Sequence, residues 1–132
     1  MDYFLPIKDF VNKRGYKLSQ DELNLLLIKI CSFKDAPIED IKYLVEKGAS
    51  LDNNSLLFAL QFNNLDIAKY LVEKGADLDK AKNKVLYSSV TNGYFEIVKY
   101  LIENGANINL LKDYILEFES QMKIVEYIKS KY

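Results

Sequence analysis

The chain holds no histidine, no tryptophan, one cysteine, two prolines and five glycines among its 132 residues. Each scarcity excludes something. Without histidine the commonest general acid/base and the commonest transition-metal ligand are gone, so a Ser-His-Asp triad, a Cys-His dyad and a Cys/His zinc site are all ruled out within one chain. An enzyme built here would have carboxylates, lysine, serine or tyrosine alone. The single Cys31 allows no intramolecular disulfide. Charge of one sign is lacking too: 18 basic against 19 acidic side chains leave a formal net charge of −1, and no domain-wide field draws the chain to nucleic acid or to an anionic membrane. Apolar runs are short, broken by Lys, Asp or Glu, and the opening MDYFLPIKDFVNKRG has neither the basic n-region nor the apolar h-region of a leader. The expectation is mature sequence from the first residue, working in the cytoplasm, with no cofactor, no metal, no nucleic-acid partner and no membrane partner.

What is there is a phrase said three times. YLVEKGA stands at 43–49 and again at 70–76, and returns as YLIENGA at 100–106. Its glycines, Gly48, Gly75 and Gly105, are 27 and 30 residues apart. Stepping back 33 residues from Gly48 gives Gly15 at the end of IKDFVNKRG, and stepping forward 27 from Gly105 gives Tyr132 at the end of KIVEYIKSKY. In FEIVKYLIENGAN, Phe95, Ile97, Val98, Leu101 and Ile102 share one face at helical spacing, with Glu96, Lys99 and Glu103 opposite. The glycine that follows suits the left-handed residue that closes a helix.

Second apolar runs lie between these helices, at 19–33, 54–62, 83–91 and 111–119. Ser19 with Glu22 reads as a capping box, Asn53 or Asn54 and Asn64 as caps of the helices after them, and Pro37 as a first-turn residue. The unit is therefore helix, short link, helix, glycine, short loop. A pair of such helices cannot cover its apolar faces alone, whereas neighbours stacked at a constant offset can.

Tetratricopeptide units of about 34 residues with a Trp/Gly/Tyr signature and HEAT or armadillo units of about 40–47 do not fit this period. NGYFEIVKYLIENGANIN at 92–109 and NLDIAKYLVEKGADLD at 64–79 resemble the second half of an ankyrin repeat. Two features depart from that family. Asn54-Ser55-Leu56-Leu57 and Lys84-Val85-Leu86-Tyr87 replace its Thr-Pro-Leu-His opening, and units of 27–30 residues, against about 33, leave a short turn where the family has a β-hairpin finger. The spelling is similar to the shortened repeats common in large DNA viruses and intracellular bacteria, which would put the protein in a host cytoplasm.

The resemblance implies an all-α, ankyrin-type helix-turn-helix solenoid in one domain, 1–132. A capping helix at 1–15 (about 2–14) precedes repeats at 16–48, 49–75 and 76–105 and a C-terminal capping repeat at 106–132, with helix pairs ending at about 47, 74, 104 and 132. It also implies non-catalytic binding of a protein partner through the concave face by a chain that is a monomer alone, acting as an inhibitor, an immunity protein or a host-factor binder. Carried over by alignment, the loop-tip positions are Asn53, Asn54, Lys80, Lys82, Asn83 and Leu110, and the exposed first-helix positions are Gln61, Phe62, Thr91, Asn92, Phe118 and Glu119. Phe62 and Phe118 put apolar rings where water is expected: either anchors of an interface or rings tucked into the next repeat.

Other groupings read more plainly. Tyr43, Tyr70, Tyr100 and Tyr127 share one slot, read as rings packed between helices with their hydroxyls at the rim. Cys31 reads as buried and inert. Asp21-Glu22, Glu39-Asp40 and Glu117/Glu119 read as capping and solubilising acids, and Lys80, Lys82 and Lys84 as a solvated loop. Two alternatives stand beside the binding module: a small enzyme built on carboxylates or a lysine, and a nucleic-acid binder using the Lys80–Lys84 loop.

Overall fold

The computed structural model describes residues 7–15, 17–118 and 122–131, and of residues 10, 12–14, 53, 114–118 and 122 the backbone alone. Among the described residues all regular structure is helical. The α-helices are α1 (Ile7–Arg14), α2 (Gln20–Cys31), α3 (Ile38–Glu46), α4 (Asn53–Gln61), α5 (Leu65–Glu73), α6 (Leu78–Thr91), α7 (Phe95–Glu103) and α8 (Met122–Lys129), with a 3₁₀ segment at Ile108–Phe118. The chain forms two compact units, Met1–Ala76 and Asp77–Tyr132. Residues 2–6, expected to open the first helix, and Tyr132, expected to close the last, lie outside the described residues.

In the first unit α2 pairs with α3 and α4 with α5, while α2 also lies against α4, α3 against α5 and α1 against α3. First helices thus stack on first helices and second on second. Leu27, Ile41, Leu44, Leu56, Leu60 and Leu71 are fully buried, the apolar slots that the repeated phrase sets at helical spacing. The expected capping box starts α2: the Glu22 N–H donates to Ser19 Oγ at 3.2 Å and the Ser19 N–H to Glu22 Oε1 at 3.0 Å. Pro37 is the N-cap residue, one position before the helical turn.

Two expected caps are corrected. Asp52, not Asn53 or Asn54, caps α4, its carboxylate accepting from the Asn54 and Ser55 N–H groups at 3.1 and 3.4 Å. Asn64 precedes α5 but makes no side-chain cap; its Nδ2 donates to the Cys31 and Phe33 carbonyls at 2.9 and 2.8 Å. These carbonyls leave the end of α2, where the helix supplies no donors of its own, and Asn64 is the nearby amide that does.

In the second unit α6 packs on α7, α7 on α8, and the 3₁₀ segment on both α6 and α8. α6 begins at Leu78, ahead of the expected 83, with Asp77 accepting from the Asp79 N–H at 3.0 Å. Leu78, Ala81 and Val85 are buried at helical spacing, so the helix gains a core contact with each added turn. Lys80, Lys82 and Lys84 therefore stand on a helix, not on a loop. The run at 111–119, expected as an ordinary helix, is 3₁₀ as far as Phe118. Its start is tight from the outset: the Leu110 N–H donates to the Asn107 carbonyl, an i to i+3 bond of 3.1 Å.

The second helix of each pair that carries the repeated phrase ends in one turn. After α5 the Gly75 N–H reaches the Val72 carbonyl (3.0 Å) and the Ala76 N–H the Leu71 carbonyl (2.9 Å), and Gly48-Ala49 and Gly105-Ala106 repeat the pattern. This is the Schellman closure. The buried alanine after each glycine supplies its apolar contact. The links at 47–52, 74–77 and 104–107 contain no strand.

Candidate partner-binding surface

In the first unit the surface carried by the first helices includes α4 and the residue that ends it. Asn54 and Gln61 of α4 are exposed, and Phe62, its C-cap residue, keeps 43% of its surface in water. The Phe62 ring leans on its own helix, 6.4 Å from the Phe58 ring centre. Of Asn53 only the backbone is described. No charged residue occurs anywhere in α4, and on the adjacent α2 Leu25 is 57% exposed.

In the second unit Lys80, Thr91 and Asn92 are exposed, Leu110 is 48% exposed, and Tyr87 of α6 adds an aromatic ring at 44%. Of Phe118 the backbone alone is described, and Glu119 lies outside the described residues. Leu25 and Tyr87 were missed by sequence reasoning. The signal was available, since both fall off the buried stripes of their helices, Leu23–Leu27–Ile30 and Ala81–Val85–Leu86.

Two of the expected contact residues have work inside the chain. Lys82 Nζ sits between Asp79 Oδ1 (2.8 Å) and the Asn104 carbonyl (3.2 Å), and only 16% of its side chain is exposed. Asn83 Oδ1 accepts the Asn107 N–H at 2.8 Å, as Asn24 Oδ1 accepts the Ser50 N–H at 2.7 Å one unit earlier. In each case a first-helix amide holds the loop that follows the second helix.

The tyrosine slot is half-buried in all four copies. Lysines lie over its rings: Lys47 over Tyr43 at 5.6 Å, Lys42 and Lys74 over Tyr70 at 5.8 and 5.7 Å, and Lys131 over Tyr127 at 5.2 Å. Tyr127 also meets Phe95 edge-on at 5.7 Å. Its hydroxyl oxygen is buried without a hydrogen-bond partner among the described residues, so at this copy the expected placement of the hydroxyl at the rim fails, although the residue as a whole is half-buried. Burial raises the Tyr70, Tyr100 and Tyr127 pKa values, helped by Glu46 and Glu73 at Tyr70 and by Glu103 at Tyr127.

Cys31 is fully buried, and burial pushes its thiol up to about 12, leaving it protonated and unreactive at neutral pH. A cleft of about 200 Å³ beside α1 and α3 is lined by Lys8, Asp9, Glu39, Asp40, Lys42 and Tyr43. Two of its acids have partners within the chain. Asp40, buried, takes the Ile7 N–H at the head of α1 on Oδ1 at 3.0 Å, and Glu39 faces Lys42 at 3.9 Å. Among the described residues no three acidic or cysteine side chains gather to hold a metal ion.

A family model for ankyrin repeats, in three copies, matches residues 27–112. The chain belongs to the ankyrin-repeat family. No curated protein matches it. Ankyrin repeats are in general protein-interaction modules and are typically non-catalytic. Among the described residues no helix is long and apolar enough to cross a membrane.

Proposed function

We propose that this ankyrin-repeat chain binds a protein partner through the face made by its first helices and loop tips, the face that in the family is concave, and acts by covering the partner's surface. The single observation that carries this reading is the uncharged α4 with Phe62 43% exposed at its end, beside a 57% exposed Leu25 on α2. Large apolar groups left in water on an otherwise charged molecule are the informative exception. In the first unit Asn54 and Gln61, with Asn53, would be the polar and adaptable part of the contact; in the second unit Lys80, Thr91, Asn92 and Leu110, with Phe118 and Glu119, would be the contact residues. Helix pairs fix these side chains before the partner arrives, which limits the entropy lost on docking. Occlusion suits an inhibitor, an immunity protein or a binder of a host factor, and the repeats at 16–48, 49–75 and 76–105 with their caps would serve as one binding domain.

The test is affinity capture, comparing wild type with a Leu25→Ala/Phe62→Ala double variant. We expect the variant to keep its helical circular dichroism and to lose one or more proteins that wild type retains, since truncating a central anchor costs about 2 kcal/mol or more, some thirtyfold in affinity. Equal recovery of the same proteins by both would remove the surface from consideration.

A further inference from the structure

Two Asn-Gly pairs occur in the chain, Asn92-Gly93 and Asn104-Gly105, and they end successive helices in the same way. Each asparagine is the C-cap residue, of α6 and α7, and each glycine follows with positive φ, 74° and 92°. Asparagine before glycine is the pair most open to intramolecular attack, because glycine has no Cβ to shield its own nitrogen. We infer that Asn92 is a site of spontaneous deamidation, gated by opening of the last turn of α6 and reacting ahead of Asn104.

The Gly93 backbone nitrogen loses its proton to solvent and attacks Asn92 Cγ; the side-chain amide leaves as ammonia, and a five-membered succinimide closes. Water then opens the ring at either carbonyl, giving aspartate or isoaspartate. No further reactant is needed. The fold restrains the first step in both pairs. The Gly93 N–H is held by the Val90 carbonyl and the Gly105 N–H by the Ile102 carbonyl, both at 3.0 Å, while the asparagine ψ angles of −5° and 18° hold the attacking nitrogen away from Cγ. Attack waits on local opening, which at helix ends requires far less than global unfolding.

The two sites differ in what must be broken. Asn104 Nδ2 donates to the Tyr100 carbonyl at 2.7 Å and the Asn104 carbonyl accepts from Lys82 at 3.2 Å. The Asn92 side chain is exposed and has no hydrogen-bond partner among the described residues. Its conversion places a carboxylate, or an isoaspartyl backbone one methylene longer, on the surface proposed above; that consequence alone rests on the binding reading.

The full chain, held at physiological temperature and mildly alkaline pH, is sampled over weeks by peptide mass mapping and isoaspartyl methylation, with an Asn92→Gln variant alongside and a urea-unfolded sample as reference. The expected result is loss of the Asn92 amide roughly two- to tenfold faster than that of Asn104, the span set by one net hydrogen bond. Both products should form at 92, folded rates should lie below unfolded ones, and the Asn104 rate should be unchanged in the variant. Equal or faster reaction at Asn104, aspartate without isoaspartate at 92, or no conversion at 92 while the unfolded sample converts, would each overturn it. The readout is mass, so it stands apart from whether any partner binds.

Discussion

Asn64 carries two roles that a cap-position reading would collapse into one. It occupies the position before α5, yet its amide is spent on the Cys31 and Phe33 carbonyls, tying the second helix pair to the end of the first. Replacing it with alanine removes the amide from both carbonyls: that of buried Cys31 loses this donor, while that of Phe33 keeps the Ala36 N–H at 3.3 Å. At roughly 1 kcal/mol net for each bond, Asn64→Ala should lose about 2 kcal/mol. Urea titration should show a lower midpoint with an unchanged slope; an unshifted midpoint would mean that water replaces the amide at no cost. Nothing in the sequence points to this bond, because its partners lie 33 and 31 residues upstream. The same holds for Asn83 and Lys82, whose types and positions suit a contact surface but whose polar atoms are committed to the loop after α7. Apolar exposure was more readable. Phe62 breaks the expected polarity of its slot, and Leu25 and Tyr87 could have been found by asking which apolar residues miss the buried stripe of their helix.

At the scale of the element, helices and their ends follow from two signals, a 3.6-residue apolar period and a glycine at the left-handed position. Both were legible, and α3, α5 and α7 end at Glu46, Glu73 and Glu103, one residue short of the expected ends. Helix starts were less legible. Asp52 and Asp77 are capping residues that blend into polar links, and the head of α6 is hidden by Lys80, Lys82 and Lys84, which dilute the Leu78–Ala81–Val85 stripe. The closing turns permit a graded test. Gly75 and Gly105 both have positive φ, 115° and 92°, so an added Cβ at either costs about 1 kcal/mol of backbone strain. At Gly75 that Cβ meets nothing within 4 Å, whereas at Gly105 it comes within 3.2 Å of Lys82 Nζ. Gly75→Ala should therefore lose about 1 kcal/mol, and Gly105→Ala about 1 kcal/mol more as Lys82 is pushed from the Asn104 carbonyl. Thermal unfolding of the two variants side by side checks the order. In a Lys82→Ala background the extra loss at Gly105 should vanish.

For the molecule as a whole, the missing histidine shapes the dependence of stability on pH. No side chain of the kind that ordinarily titrates between about pH 5 and 8 is present, so stability should be level from about pH 6 to about pH 8. The resolved shifts all act higher. Cys31 is raised from 9.0 to about 12 by burial, and Tyr70, Tyr100 and Tyr127 are raised from 10.0. In each case the folded chain holds the proton more tightly than the unfolded one. The resulting stability is fully present below the unfolded pKa and is lost as pH rises through the folded value. For Cys31 the loss begins near pH 9 and runs towards about 12, at about 1.4 kcal/mol per pH unit. The tyrosines join from 10.0 upward. Urea titrations across this range should show a plateau and then a fall setting in near pH 9, and a Cys31→Ala variant, less stable throughout for its lost packing, should hold its plateau until the tyrosines begin to titrate. If wild type and variant turn down at the same pH, the buried thiol does not control the alkaline limit of this fold.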